Sequence, residues 1–179
     1  MLEELRFMDV CSLIRKNLYC CYRLELLVSD LLSLYAEKLD DSEPQMRKAK
    51  IILKAVAIES TKHAAFIELL TKFFRIHEES IECREVVGEP WIVIQKLLND
   101  IVNGMHIDLK EFVDKQRWIE ETVGEESYHK LLIPLLSEAI KEGCVDEYSA
   151  SAIESILNKI VVDEEWHEKV INTIISKTI

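Results

Sequence analysis

Residues 146–178 read DEYSASAIESILNKIVVDEEWHEKVINTIISKT. Stepping along them in alternating threes and fours gives Ile153, Leu157, Ile160, Glu164, His167, Ile171 and Ile174. That is the inward stripe of one long amphipathic helix, with a carboxylate and an imidazole where two apolar residues are expected. A bare carboxylate in a core costs several kcal/mol unless something neutralises it. A Glu at i and a His at i+3 on the core face of a bundle helix is the spacing that brings both to one metal ion.

Working outward, three more stretches show interrupted stripes. Residues 3–39 form a first helix with the seam Cys11, Ile14, Leu18, Cys21, Glu25, Val28, Leu32, Tyr35, Leu39. Asp40-Asp41-Ser42-Glu43-Pro44 ends it and starts the next, with Ser42 as the expected N-cap and Pro44 in the first turn. The second helix, about 44–79, carries Ala49, Ile52, Val56, Glu59, His63, Phe66, Leu70 and Phe73. The short loop makes these two helices antiparallel neighbours, with Glu25 and Glu59 at one height. Residues 80–107 form a crossover holding a short helix, about Pro90 to Val102, closed by Asn103-Gly104. A third long helix opens at Asp108, with Glu111 completing a capping box. Its stripe is Trp118, Glu121, Glu125, Tyr128, Leu132, Leu135, Ala139, and Gly124 and Pro134 predict close packing or a bend. It ends at Glu142-Gly143-Cys144, and the fourth helix follows from Asp146.

The inward stripes thus supply Glu25; Glu59 with His63; Glu121 with Glu125; and Glu164 with His167. Five carboxylates and two imidazoles cannot neutralise each other, and no stripe carries a facing Lys or Arg. Two divalent cations would balance most of the charge, and oxygen-rich ligation with one His per metal suits iron or manganese better than structural zinc. Glu121 and Glu125 put two carboxylates one turn apart on the same apolar face. Tyr35 and Tyr128 are core residues by position, and a Tyr beside the metals can hydrogen-bond a ligand carboxylate. His129 reads as an edge residue, and His77 and His106 as surface ones.

Composition sets the outer bounds. A chain of 179 residues with 49% hydrophobic residues, four Gly and three Pro is most simply one all-α domain over 1–179. A net charge of −11 argues against nucleic acid and anionic membranes as partners. The five Cys show no CxxC and no disulfide-like framework, so a reducing cytoplasm is expected. The start of the chain does not read as a signal peptide, and polar residues interrupt each long apolar stretch. A second apolar face on the first helix, Met8, Leu13, Leu24 and Leu31, predicts a homodimer.

Over roughly residues 5–178 the chain resembles the ferritin-like superfamily, and within it the rubrerythrin-like branch. The resemblance rests on helix order, the long crossover and the ligand pattern, above all Val162-Asp163-Glu164-Glu165-Trp166-His167-Glu168-Lys169. Glu121 with Glu125, followed by Tyr128, is similar to the rubrerythrin third helix. The resemblance implies a ferritin-like four-helix bundle of two antiparallel hairpins, and a di-iron centre (or iron with manganese). It also implies reduction of peroxide or oxygen, or oxidation of ferrous iron, with Glu125 and Tyr128 taking part. The chain departs from the pattern at Ser60, which stands where the second-helix motif has Glu, and at Val28, seven residues before Tyr35. It has no rubredoxin-like Cys module, so electrons would come from another protein. The alternative expectation is a degenerate bundle that lost its site and serves as an interaction module.

Overall fold

The computed structural model describes residues 9–40, 42–74 and 81–175, without the side chains of 124–127 and 129. It is all-helical, with no strand among the described residues. The elements are α1 (Val10–Lys38), α2 (Pro44–Phe73), α3 (Cys83–Val87), α4 (Glu89–Val102), α5 (Leu109–Thr122), a π-helical segment (Val123–Leu132), α6 (Ile133–Lys141) and α7 (Glu147–Ile175). The residues joining α5, the π segment and α6 keep right-handed helical dihedrals, so the three form one continuous rod.

Cross-contacts fix the directions of the four long rods. Ser29 donates to the Ala57 carbonyl at 2.9 Å, and Glu25 meets His63, so α1 and α2 run antiparallel. Lys48 reaches the Thr173 carbonyl while His63 meets Glu164, so α2 and α7 are antiparallel as well. Arg117 pairs with Asn172 and Glu120 with His167, which sets α5 against α7. Tyr35 stacks on Phe112 with centroids 3.6 Å apart, and Tyr128 meets Glu25, which sets the third rod against α1. Rods one and four therefore point one way, two and three the other. The crossover must run the length of the molecule, and α3 and α4 do so packed on α1.

Helix ends follow local chemistry. Asp108 caps α5, its Oδ1 accepting from the backbone N–H of Lys110 and Glu111. Gly104 and Gly143 take φ of +74° just beyond helix ends, where a β-carbon would be strained. The expected Ser42 cap is not formed. Glu43 holds the N-cap position without a side-chain bond, and Asp40 accepts from the Ser42 amide instead.

The cysteine expectation is corrected here, and two residues of the expected dimer face, Leu24 and Leu31, lie inside the chain. Four of the five cysteines are paired, Cys11 with Cys144 and Cys20 with Cys83, leaving Cys21 free. The pairs lie 133 and 63 residues apart in sequence, so no local spacing announces them. One ties the start of α1 to the turn before α7, and the other ties the crossover to α1. Paired cysteines are the usage of an oxidising rather than a reducing compartment, so cysteine usage no longer points to a reducing one. No described helix is long and apolar enough to cross a membrane. Leu24 and Leu31, offered as a dimer face, are fully buried within the chain, where α1 packs on α4 as well as on α2; Leu13 is half-buried and Met8 lies outside the described residues.

Candidate metal centre

On α7, Glu164 and His167 sit one turn apart among Ile160, Ile171 and Ile174, all buried as the stripe requires. From α2, His63 projects into the same layer between Ser60 and Ile67, also buried. Glu164 Oε1 lies 2.9 Å from His63 Nδ1 and 3.6 Å from His167 Nδ1, and the two imidazole centroids are 5.4 Å apart. Close as they are, neither His63 Nδ1 nor Glu164 Oε1 makes a hydrogen bond of regular geometry. Ligands each about 2.1 Å from a shared ion lie roughly 3 Å apart, close to the 2.9 Å and 3.6 Å separations of these atoms.

Each imidazole has its own carboxylate. Glu25 of α1 stands 3.8 Å from His63 Nδ1, and its Oε1 accepts from the Tyr128 hydroxyl at 2.5 Å. Glu120 of α5 stands 3.2 Å from His167 Nδ1 and accepts from the Gln116 amide. The cluster therefore has two halves, Glu25 with His63 and Glu120 with His167, and Glu164 lies between them.

Glu120 replaces Glu121, which points to solvent, and the π segment explains the exchange. In an uninterrupted α-helix residues seven apart share a face, so an inward Tyr128 would bring Glu121 inward with it. Hydrogen bonds from i to i+5 widen each turn by about one residue. Eight residues then cover the same rotation, and Glu120 takes the face of Tyr128. Gly124 falls inside this segment. The same slip makes Phe112, Gln116 and Ile119 core residues and leaves Trp118 only half-buried. The Glu125, His77 and His129 side chains lie outside the described residues.

Glu59 sits at the rim, half-buried and ion-paired to Lys62, so the second stripe does carry a cation beside it. With His63 and Asp163, Glu59 forms a second group of ligand-type atoms on the outer side of the imidazole. Asp163 Oδ2 lies 3.2 Å from His63 Nε2 and also faces Lys62, while its other oxygen faces Lys159. A carboxylate on the far ring nitrogen fixes a ligating imidazole's tautomer with the near nitrogen free. Although partial burial works the other way, Lys159, His63 and Lys62 hold Asp163 well below the usual carboxylate range.

Burial alone lowers the basicity of both imidazoles. Glu164 and Glu25 reverse this at His63, and Glu120 and Glu164 at His167, holding each pKa at about 10. Burial and then the Glu164 charge raise Glu120 to about 7 against the pull of His167. Burial, with the nearby Glu25 charge, keeps the Tyr128 hydroxyl protonated as a donor. Among the described residues, the buried carboxylates of Glu25, Glu120 and Glu164 thus face two imidazoles; of the five acids expected, Glu59 and Glu121 lie outside the cluster and the Glu125 side chain lies outside the described residues.

The donor set fits a metal by one further test. Among the described residues, the buried side-chain atoms without a hydrogen-bond partner are Ser60 Oγ, His63 Nδ1, Gln116 Oε1, Glu164 Oε1 and His167 Nε2. All five belong to this cluster or to the turns that carry it. Orphaned buried polar atoms are rare and point to an ion or water. His63, Glu164 and His167 have ligand atoms mutually within 4.8 Å. Gln116, Glu120 and Asp163 escaped the sequence reading. The first two were legible by phasing the third rod forward from its Asp108 cap, along Phe112, Gln116 and Glu120, rather than backward from Leu132. Comparison with family models, curated proteins and solved structures returns no match.

Proposed function

We propose that the chain is a metal-dependent oxidoreductase of ferritin-like, rubrerythrin-like kind. It would hold two iron ions, or iron with manganese, in a four-helix bundle. Glu25, His63, Glu120, Glu164 and His167 are the ligands, with Glu164 shared between the halves. One observation carries the reading: the orphaned Glu164 Oε1 lies within 3.6 Å of both imidazole Nδ1 atoms in a fully buried layer. When bound, the ions would supply electrons and open coordination positions to a small oxidant, peroxide or oxygen; in the ferroxidase alternative ferrous iron bound at the same residues would itself be the substrate, oxidised by that oxidant. The protein's share is positional. Tyr128 orients Glu25, Asp163 orients His63, Gln116 orients Glu120, and the apolar walls exclude water. Electrons come from an external donor protein. Anaerobic loading with ferrous iron followed by addition of peroxide tests this. Stoichiometric uptake and peroxide consumption support the reading, and no uptake ends it.

A second reading has its own observation. Two imidazoles near pKa 10 and a Glu120 near 7 bring the three carboxylates close to neutrality without any ion. A bundle that kept this self-balanced network as a relic, acting as an interaction module, would gain or hold stability when Glu164→Leu and His167→Met are combined, with no metal uptake lost.

A further inference from the structure

The two motif helices are unequal. α7 presents Glu164-x-x-His167 and α2 presents Ser60-x-x-His63, at the same spacing and facing the same layer. Both imidazoles have a terminal carboxylate, yet Glu164 has no counterpart from α2. Ser60 is buried at 1% exposure, and its Oγ has no partner. A hydroxyl with nothing to donate to is a costly group to bury, and one turn from His63 it is placed to serve whatever binds beside that residue.

The missing atoms define a ligand. A serine side chain stops at Oγ, where a glutamate continues with a carboxyl carbon and two oxygens. Those three atoms are the heavy atoms of formate. Charge is consistent with the same class: among the described residues, the buried carboxylates of Glu25, Glu120 and Glu164 bring three negative charges against the four positive charges of two divalent cations, and a monoanion supplies the difference. We propose that Ser60 marks a binding position for a small carboxylate-type monoanion (formate, acetate or bicarbonate), which takes the role a glutamate at 60 would have and receives the serine hydroxyl's hydrogen bond. The proposal rests on the metal-centre reading and adds the identity of an exogenous ligand to it.

The test is metal uptake, not turnover. The 179-residue chain is dialysed anaerobically against graded ferrous iron in chloride buffer, alone and with formate, acetate or bicarbonate in separate arms. The same is done for Ser60→Ala, Ser60→Asp and Ser60→Glu, each checked for a cooperative thermal transition. In the unaltered chain the anion is expected to tighten the second ion by about tenfold or more, the scale of a lost outer-shell partner. The arm with the largest effect names the source. Ser60→Ala should weaken the anion effect. Ser60→Glu, or Ser60→Asp where the longer side chain does not fit, should bind the second ion without anion and become indifferent to it. Iron uptake by the unaltered chain that no anion changes overturns this proposal and leaves the metal centre standing. Uptake by no variant in any buffer overturns the metal centre itself, and the anion position with it.

Discussion

Replacing Tyr128 with Phe removes one oxygen from a fully buried side chain and leaves its ring in place. The hydroxyl donates to Glu25 Oε1 at 2.5 Å, and the two residues are 0% and 2% exposed. Water cannot take over the bond without opening the core, so Glu25 Oε1 loses its hydrogen-bond donor, and the carboxylate keeps His63 at 3.8 Å. Hydrogen bonds to charged groups are worth about 1.5–3 kcal/mol. A chain of this size loses about 2–4 °C of Tm per kcal/mol, so the metal-free Tyr128→Phe protein should melt roughly 3–12 °C lower. Metal affinity should fall about 10–100-fold, as for other partners of ligating carboxylates. Calorimetry of the metal-free protein, run with Glu25→Gln and the double variant, isolates the pair. The single losses should exceed the double by more than about 0.5 kcal/mol if the two groups touch. Strict additivity, or a Tm change under about 1 °C, would show that Tyr128 does not face Glu25. The widened turns of the third rod would then be wrong.

Three further outcomes follow from other parts of the molecule. Glu120→Gln should weaken metal binding by about 10-fold or more while Glu121→Gln leaves it unchanged, and isothermal titration of both reads the register directly. Reducing the Cys11–Cys144 and Cys20–Cys83 pairs removes staples across 133 and 63 residues; chain-entropy reasoning gives about 5 and about 4 kcal/mol for these closures, so Tm should drop by roughly 18 °C or more with reductant at about 2–4 °C per kcal/mol, and alkylation before reduction should label Cys21 alone once the protein is unfolded. His63 and His167 have pKa values raised to about 10. Their ion pairs therefore stabilise the metal-free fold fully below about pH 6.5 and fade as pH rises through 10. Metal-free protein should melt higher at pH 6 than at pH 9, metal should bind more tightly at pH 9 because it displaces those protons, and uptake at pH 7 should release protons into a weakly buffered solution.

Much of this architecture is legible from the residues. Glu164, His167, His63 and Glu25 each interrupt an apolar stripe, and a straight α-helix keeps phase over the 29 or 30 residues of α1, α2 and α7. The third rod broke that assumption. Its periodicity changes within the chain, and a stripe phased from Leu132 arrives one residue late at Glu121. Gly124 signalled an irregularity there but not its direction. Glu59 was read inward because helical spacing alone gives a face about 100° wide; the choice between Glu59 and Ser60 falls to packing, which favours burying the smaller, uncharged residue and leaving the acid to Lys62. The disulfides were hidden because their partners meet only after the crossover is laid along α1, a relation no local spacing encodes.

The most direct measurement is anomalous scattering from crystals of protein grown with ferrous iron, recorded on both sides of the iron absorption edge. The account predicts iron density bounded by His63, Glu164 and His167, with Glu25 and Glu120 turned toward it. Crystals that hold no iron there, or hold it only at the surface beside Glu59 and Asp163, would contradict it.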